Sequence, residues 1–299
     1  MLSIVIPTYN RINSLKDCIN SIVQQLSKGL EIIIINDGST DSTVDYLKTI
    51  TENYQHSIVV INNPANFGVN YSRNRGIEQA TKEFILFLDS DDELAPGCLR
   101  HIISTIKSNS QKTHFLFLVS DRVHEFISLE QSRQIQYSDW INGAIEGDFI
   151  HLVASAIMKQ YLFFEQFRMF EYLNWLRVKK LTAPQLLIPL IVSKRKRDRS
   201  DSLTRAGRLR HISVIQSKFE ARQLYYYLYH KDLQHFRSKA LTKTLLGAIL
   251  LGVACKKKME CYRLIQYANN PAIKLAGLLL LLLPSLFIRK MIITWSAIK

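Results

Sequence analysis

A short acidic cluster directly after an apolar run is the strongest chemical signal in this sequence. Phe84–Leu88 is entirely apolar, and Asp89–Glu93 then brings four carboxylates together around one serine. Such a run indicates a strand buried on both faces, and ligands of open α/β sheets bind at the carboxyl ends of strands. Because crowded carboxylates repel one another and oxygen ligands suit Mg²⁺ or Mn²⁺, the cluster predicts a divalent-cation site. The alternative is a solvated acidic loop ahead of a helix near Pro96.

Two more polar turns follow predicted strands nearer the N-terminus. Pro7–Arg11 comes after the first strand, and Asn36–Ser39 comes after the second. Because the carboxyl ends of parallel strands share one edge of a sheet, we expect these turns to lie beside the acidic cluster. There Asp37 can accept hydrogen bonds from a base or a ribose, and Asp91 can ligate a cation that clamps a diphosphate. No GxGxxG follows the first strand, which argues against a dinucleotide-binding Rossmann site.

The elements that must position these groups alternate between strand and helix over the first 120 residues. Apolar runs predict strands at 2–6, 32–35, 57–61, 84–88 and 114–119, with residues at helical spacing between most of them. This alternation predicts an α/β fold of the Rossmann-like type, with a mostly parallel sheet and flanking helices. Beyond about residue 150 the pattern becomes helical, which predicts a helical, basic C-terminal region.

Charge is divided unevenly along the 299-residue chain. Residues 1–163 carry a net charge of −5, and residues 164–299 carry a net charge of +19. The second half is therefore expected to meet an anionic partner: a phosphate-bearing substrate, an anionic membrane or nucleic acid. The four cysteines lack zinc-site spacing, and the first residues lack the charged region of a signal peptide, so we expect free thiols in a reducing compartment.

Four motifs, in order and at natural spacing, resemble those of the family 2 glycosyltransferases with the GT-A fold, of the type that builds bacterial polysaccharides. They are Ser3–Asn10, Ile34–Asp41, Asn66–Gly68 with Arg73–Gly76, and Phe87–Asp92. The resemblance is close over residues 1–100, loose over 100–205 and nearly absent over 206–299. It implies a glycosyltransferase domain over residues 1–205, with a nucleotide-sugar half (1–100) and an acceptor half (101–205), followed by the helical region 206–299.

The resemblance also implies roles for individual residues. The implied donor-binding residues are Thr8, Tyr9, Asp37, Arg73 and Asp89, and the implied ligand of Mn²⁺ or Mg²⁺ on the donor diphosphate is Asp91. Within this set Asp37 is expected to contact the nucleobase, commonly uracil, and Asp89 the ribose. From the residues alone, Arg73 also suits the surface of a helix, and Thr8 and Tyr9 also suit an ordinary turn.

A carboxylate that acts as general base is implied near the predicted helix that holds Trp175–Arg177. Glu171 occupies the position where the base usually lies, although the acidic pair usual there is reduced to Phe170 and Glu171. The alternative is that Glu171 only pairs with Arg168 or Trp175 on the helix face. Asp148 is the second candidate for the base.

Together these parts imply metal-dependent transfer of a sugar from a nucleotide-diphosphate sugar, most simply a UDP-sugar, to a hydroxyl of a saccharide or lipid-linked acceptor. A cation neutralises the leaving diphosphate, a carboxylate deprotonates the attacking hydroxyl, and a single displacement inverts the anomeric centre. The basic residues of 199–205 suit a diphosphate or form a solvated charge run. The alternatives are a non-catalytic nucleotide-binding homologue and a basic nucleic-acid-binding protein.

Two apolar stretches near the C-terminus bear on location. Leu245–Cys255 and Leu275–Ile288 are both shorter than the roughly 20 residues that a membrane-spanning helix needs, and cations flank both. We expect the protein at the inner face of the cytoplasmic membrane, with these helices lying in or dipping into an anionic leaflet. The alternative is a pair of buried core helices.

Overall fold

The computed structural model describes residues 1–121, 131–167, 169–195, 211–268 and 270–298. The chain divides into two compact units, which we call the sheet unit (Met1–Trp140 with Ile145–Arg199) and the helical unit (Ile141–Ala144 with Ser200–Lys299). The expected domain boundary between residues 205 and 206 lies outside the described residues, so that boundary stays a prediction.

The sheet unit holds the strands and the shorter helices. Its strands are β1 (Leu2–Thr8), β2 (Leu30–Asn36), β3 (Ile58–Asn62), β4 (Phe84–Phe87), β5 (Asp92–Leu94), β6 (His114–Val119), β7 (Arg133–Ile135), β8 (Ile150–Ala154) and β9 (Gln185–Arg195). The first seven helices are α1 (Ile12–Val23), α2 (Thr43–Asn53), α3 (Val69–Gln79), α4 (Cys98–Ser108), α5 (Tyr137–Ile141), α6 (Ser155–Gln160) and α7 (Tyr172–Thr182).

The described strands form one nine-stranded sheet in the order β3-β2-β1-β4-β8-β6-β9-β5, with β7 paired to β9. β1 to β4 run parallel to one another, whereas β8 is antiparallel to both β4 and β6. Strands from the two expected halves, 1–100 and 101–205, therefore join in one sheet. The predicted α/β class, with a central sheet and flanking helices, is confirmed, but the sheet of the described residues is mixed rather than mostly parallel, since four of its eight strand pairings are antiparallel.

The central strands are apolar throughout because both of their faces are covered. Along β1, Ile4 and Ile6 pack into one buried cluster, and Val5 between them packs into another on the opposite face. The helix α1 buries Leu15 and Ile19 in the first of these clusters. The strict alternation holds the strand ends in fixed positions, since a slip by one residue would exchange the two faces.

The helix α3 lies directly on the sheet because it has glycine at the contact. A Cβ at Gly76 would meet the side chain of Val5, and it would lie 2.9 Å from the Cδ1 atom of Ile35. This close approach brings Arg73, about one helical turn earlier, to the carboxyl ends of β1 and β4.

The helical unit contains five further described helices: α8 (Ile212–Phe236), α9 (Ser238–Ala254), α10 (Lys258–Gln266), α11 (Pro271–Leu282) and α12 (Ser285–Ile298). α9 is central to this unit, since it contacts each of the other four. The buried residues Ala248, Ile249, Gly252 and Val253 of α9 belong to one hydrophobic cluster or lie against it.

The two apolar stretches near the C-terminus have different environments. Leu245–Cys255 is mostly buried within the core of the helical unit, so for this stretch the expectation of a helix lying in a leaflet is wrong. Leu275–Ile288 is not one helix, since it is broken between Leu282 and Ser285 into two arms bent by 101°. Among the described residues, no single helix is long and apolar enough to cross a membrane, although this bent pair meets the same criteria when its arms are taken together.

Candidate functional site

The carboxyl ends of β1, β2 and β4 meet at one edge of the sheet, because β1 pairs in parallel with both neighbours. The first two turns are also joined directly. The backbone N–H of Asp37 donates to the carbonyl of Thr8 at 2.8 Å. The backbone N–H of Asn10 donates to Ser39 Oγ at 2.9 Å, and Asn10 Oδ1 accepts from the N–H of Thr40 at 2.7 Å. The structure therefore brings the predicted polar turns together on one rim.

Asp37 is buried and organises the loop that follows β3. Its carboxylate accepts hydrogen bonds from the N–H groups of Phe67 (3.0 Å) and Gly68 (2.7 Å) and from the side-chain amide of Asn63 (2.9 Å). The adjacent Gly38 has a φ of +73°, and a Cβ there would lie 2.6 Å from backbone carbon of Ala65. In the described structure Asp37 therefore shapes the wall of the rim, and its contact with a nucleobase stays a prediction.

Thr8 and Tyr9 differ sharply in environment. Tyr9 is exposed, whereas Thr8 is buried and its Oγ1 has no hydrogen-bond partner among the described residues. Buried polar atoms in proteins are nearly always paired, so an unpaired one at a strand end needs an explanation. The role of Thr8 in donor binding stays a prediction.

Two arginines hold the acids of the cluster. Arg11 Nη1 lies 2.6 Å from Asp91 Oδ2, and Arg73 Nη2 lies 2.9 Å from Asp89 Oδ1. Arg73 also approaches Glu171, with 3.7 Å between Nη1 and Oε1, so one guanidinium links two of the predicted acids. The alternative of a surface charge for Arg73 is wrong, because its side chain is only 12% exposed.

The third acid of the cluster faces another partner. Asp92 accepts a hydrogen bond from Ser193 Oγ at 3.1 Å and lies 3.4 Å from Arg195 Nε. Burial raises the pKa of Asp92 to about 7, the neighbouring Asp89 adds to the rise, and Arg195 opposes it. Arg195 also donates to Asp148 at 3.0 Å. Asp148, the second candidate for the base, is thus held at the end of β9.

Glu171 immediately precedes α7 and lies at the rim through its contact with Arg73. Burial raises the pKa of this carboxyl, and the Arg73 guanidinium opposes the rise. Burial makes this carboxylate a stronger base than an exposed one, and the nearby guanidinium still favours its charged form. The expected alternative partner Arg168 lies outside the described residues.

The start of α7 is fixed by an aromatic and histidine network. The ring of Trp175 stacks on His151 with centroids 3.9 Å apart and planes 11° apart. His151 Nδ1 and His114 Nε2 share a hydrogen bond of 2.9 Å, and His114 Nδ1 lies 2.8 Å from Thr182 Oγ1 at the end of α7. Both histidines are buried, and burial lowers their pKa values, His114 to about 3. This network positions the helix that begins beside Glu171.

Sequence reasoning did not assign several residues that shape the site. Arg11 was recognised only as part of a turn, and the two histidines received no role although each interrupts an apolar strand. Asn74, within a recognised motif, binds the loop before α7: its Oδ1 accepts from the N–H of Phe163 at 2.8 Å, and its amide donates to the carbonyl of Phe163 at 3.0 Å. For the histidines and Asn74, the available signal was a polar residue inside an apolar or helical pattern.

The acids offer a partial site for a cation. Among the described residues, no group of three or more His, Cys, Asp or Glu side chains converges as metal ligands. Asp91 and Asp89 nevertheless present carboxylate oxygens at the rim, and these are the donors that Mg²⁺ and Mn²⁺ prefer. Mg²⁺ commonly binds through one or two carboxylates, with waters and substrate phosphates completing the shell. The donor set therefore fits a cation that is bound together with a diphosphate.

Comparisons with known proteins agree with this geometry. Residues 3–132 match the sequence model of the family described as Glycosyl transferase family 2. The chain is 47% identical over 95 residues to an uncharacterized glycosyltransferase, YibD, of Escherichia coli, covering 32% of this chain and 27% of that protein. It is 30% identical over 186 residues to a GalNAc(5)-diNAcBac-PP-undecaprenol beta-1,3-glucosyltransferase of Campylobacter jejuni, covering 60% of each. The chain thus spans less than two thirds of either relative.

Solved structures share the fold over almost the whole chain. S. aureus TarS 1–349 in complex with UDP-GlcNAc superimposes with a TM-score of 0.61 at 17% identity, covering 94% of this chain and 88% of that one. A mannosyltransferase of Pyrobaculum calidifontis in complex with GDP-Man and Mn²⁺ gives a TM-score of 0.58 at 12% identity, covering 99% and 84%. At these identities the likeness concerns the fold, which is the GT-A fold. Residues 3–132 thus match the sequence model of the family 2 glycosyltransferases, and the chain shares its fold with these solved structures.

Proposed function

We propose that this protein transfers a sugar from a nucleotide-diphosphate sugar to a hydroxyl of a saccharide or lipid-linked acceptor. The observation that carries the proposal is the position of Arg73, which lies 2.9 Å from Asp89 and 3.7 Å from Glu171. One guanidinium thus joins an acid expected to bind the donor and an acid expected to act as the base. The family domain and the unpaired Oγ1 of Thr8 support the same reading.

The donor is proposed to be a UDP-sugar. TarS, which shares the fold, has been crystallised with UDP and with UDP-GlcNAc. In this chain the loop held by Asp37 and the end of β1 at Thr8 form adjacent walls for the nucleoside. The GDP-mannose complex of another protein with this fold makes a guanosine donor the direct competitor.

A divalent cation, Mn²⁺ or Mg²⁺, is proposed to bind at Asp91. When bound, the cation neutralises the charge that develops on the leaving diphosphate. A cation that binds the Asp91 oxygen now 2.6 Å from Arg11 Nη1 displaces that guanidinium. The Arg11 guanidinium can then donate to a diphosphate oxygen, since guanidinium groups bind phosphate strongly.

Glu171 is proposed as the general base. Its carboxylate takes the proton of the acceptor hydroxyl while the oxygen attacks the anomeric carbon, and a single displacement inverts that centre. Asp148 is less suited to this role because its carboxylate accepts a hydrogen bond from Arg195. The burial that raises the pKa of Glu171 increases its basicity.

The acceptor and its location belong to the same proposal. One relative's name specifies a saccharide on undecaprenol diphosphate as its acceptor, and another is named a poly(ribitol-phosphate) beta-glucosyltransferase. We propose an acceptor of this kind, in the assembly of a bacterial surface polysaccharide at the inner face of the cytoplasmic membrane. The charge of +19 on residues 164–299 supports a role next to anionic lipids.

A donor panel tests the proposal. Isothermal calorimetry with UDP, GDP and dTDP, and hydrolysis assays with the corresponding sugars, should select one nucleotide and require Mn²⁺ or Mg²⁺. Asp91→Asn should remove most of the cation dependence, and Asp45→Asn on the exposed face of α2 is the matched control. Equal UDP affinity with Mn²⁺ and with a chelator would contradict the cation proposal, and binding of none of the three nucleotides would contradict the function itself.

A further inference from the structure

The helical unit exposes large apolar side chains around the bend between α11 and α12. We call this set the apolar corner; its members are Leu275, Leu278, Leu279, Leu282, Leu286, Phe287 and Met291. Leu282 is 77% exposed and Leu286 is 65% exposed, and these two residues flank the bend itself. Single exposed apolar residues are ordinary, but a group concentrated at one place on a protein marks an interaction surface.

The helix α11 is apolar on both of its faces. Gly277 is buried, and a Cβ there would lie 2.8 Å from Ile265 Cγ1 and 3.2 Å from Ile249 Cδ1. At 100° per residue, Leu275, Leu279 and Leu282 lie on the side opposite Gly277. α9 and α10 thus cover one face, and the leucines form the other. A surface helix of a soluble domain normally carries polar residues on that outer face.

The bend gives the corner its shape. Proline at position 284 disfavours continuation of α11, and α12 begins at Ser285 with a bend of 101° between the arms. The arms of 12 and 14 residues are each roughly 18–21 Å long at 1.5 Å per residue. Each arm is shorter than the ~30 Å hydrocarbon core of a bilayer. Two short arms joined by such a bend suit insertion into one leaflet of a bilayer.

The charges near the apolar corner favour an anionic partner. No Asp or Glu follows Glu260 in the sequence, whereas the residues after it include five cations: Arg263, Lys274, Arg289, Lys290 and Lys299. A second copy of the chain docking on the same face would bring the cations of both copies together, which is unfavourable. An anionic lipid surface accepts apolar side chains and attracts the neighbouring cations at the same time.

We propose that the apolar corner inserts into one leaflet of an anionic lipid bilayer and anchors the chain there, with Lys274, Arg289 and Lys290 at the headgroups. α9, whose apolar residues are buried in the core of the helical unit, stays within the protein. The inference deepens the membrane location given in the proposed function, but it concerns the helical unit alone and would hold even if the donor panel failed.

Vesicle co-sedimentation of the purified full-length chain tests the proposal. Wild type should sediment with vesicles that contain phosphatidylglycerol and much less with phosphatidylcholine alone. The double substitution Leu279→Ser with Leu282→Ser should weaken binding on the order of tenfold or more, because it removes apolar insertion. Arg289→Gln and Lys290→Gln should each weaken binding to the anionic vesicles roughly fivefold at low salt.

A matched control keeps the result interpretable. Leu228→Ser changes a leucine on α8 that is also exposed, at 40%, and lies outside the apolar corner, so this variant should bind vesicles as wild type does. Circular dichroism and UDP calorimetry should show that both leucine variants remain folded. The proposal is overturned if wild type stays in the supernatant with anionic vesicles, if the corner variant binds as well as wild type, or if Leu228→Ser loses binding equally. It is also overturned if the corner instead holds a dimer, seen by ultracentrifugation, that the double substitution dissociates without any vesicle binding.

Discussion

The rim of the sheet unit and the apolar corner of the helical unit depart from ordinary burial in opposite ways. At the rim, acids lie at the ends of buried strands, and each is held by a named partner: Asp91 by Arg11 and Asp89 by Arg73. At the corner, leucines such as Leu282 extend into solvent. Precisely placed charges suit recognition of one small ligand, whereas an uncovered apolar face suits a surface without fixed atoms. We therefore expect the two units to serve separable tasks.

The largest effect that separates the two regions is expected from Glu171→Gln. This change removes the proposed base without changing side-chain size, so sugar transfer should fall on the order of 10²-fold or more. UDP affinity and vesicle binding should remain near wild type. The matched control is Glu78→Gln on the exposed face of α3. Transfer at the wild-type rate would assign the base to another group, with Asp148 the next to test.

A smaller effect is expected from Arg73→Met. This substitution takes the cation away from both Asp89 and Glu171, and since Arg73 lowers the pKa of Glu171, its loss should raise that pKa further. The acid limb of the rate profile should then move to higher pH, and transfer at neutral pH should fall about tenfold. Rate measurements across pH check this, with Arg75→Met at an exposed position of the same helix as the control. An unmoved acid limb would show that Arg73 does not tune Glu171.

Two glycine substitutions sharpen the comparison at the level of packing. Gly76→Ala should displace α3 from β1, and Gly277→Ala should displace α11 from α9 and α10, because each new Cβ meets a neighbouring side chain. Overpacking of this kind typically costs about 1–3 kcal/mol. Thermal unfolding should show the loss in both variants. Gly76→Ala should also weaken UDP binding, whereas Gly277→Ala should alter only vesicle binding; the opposite pattern would contradict the assignment of tasks.

A last prediction concerns a buried lysine of the sheet unit that takes no part in the proposed chemistry. Burial lowers the pKa of Lys179 to about 7, partly offset by Asp148. Between pH values of about 7 and 10.5, this lysine holds a proton in the unfolded chain but not in the folded chain. The free energy of unfolding therefore rises with pH over this range. Relative to wild type, Lys179→Met should therefore gain stability at and below neutral pH and lose that advantage toward pH 10. If the free energies of unfolding of Lys179→Met and wild type differ by the same amount at every pH, the prediction is wrong.

Much of the sheet unit was predictable from the order of residue types. The β-branched and apolar runs that became β1, β2 and β4 left little choice but buried parallel strands, and parallel strands must end at one edge. The polar turns after them therefore had to meet, and Thr8, Asp37 and Asp89 do so. Apolar residues at helical spacing also predicted the helices that became α1 and α2.

The partners of these groups were not predictable, because they come from distant parts of the chain. Asp91 and Asp92 are adjacent in sequence, yet the first faces Arg11 of the first turn and the second faces Arg195 at the end of β9. The pairing of β5 with β9 separates them. Likewise His114 and His151 meet only because β6 and β8 lie side by side.

The sequence by itself determined the composition of the rim, the helical nature of the C-terminal region and the positive charge concentrated there. Only the tertiary structure decided between its two apolar stretches, Leu245–Cys255 and Leu275–Ile288, which hydropathy does not distinguish. The apolar content of a segment indicates how much free energy is gained when the segment leaves water, but it does not identify the surface that buries it. The stretch of α9 from Leu245 onward is mostly buried among the other helices, whereas α11 is covered on the face of Gly277 and exposes leucines on the opposite face.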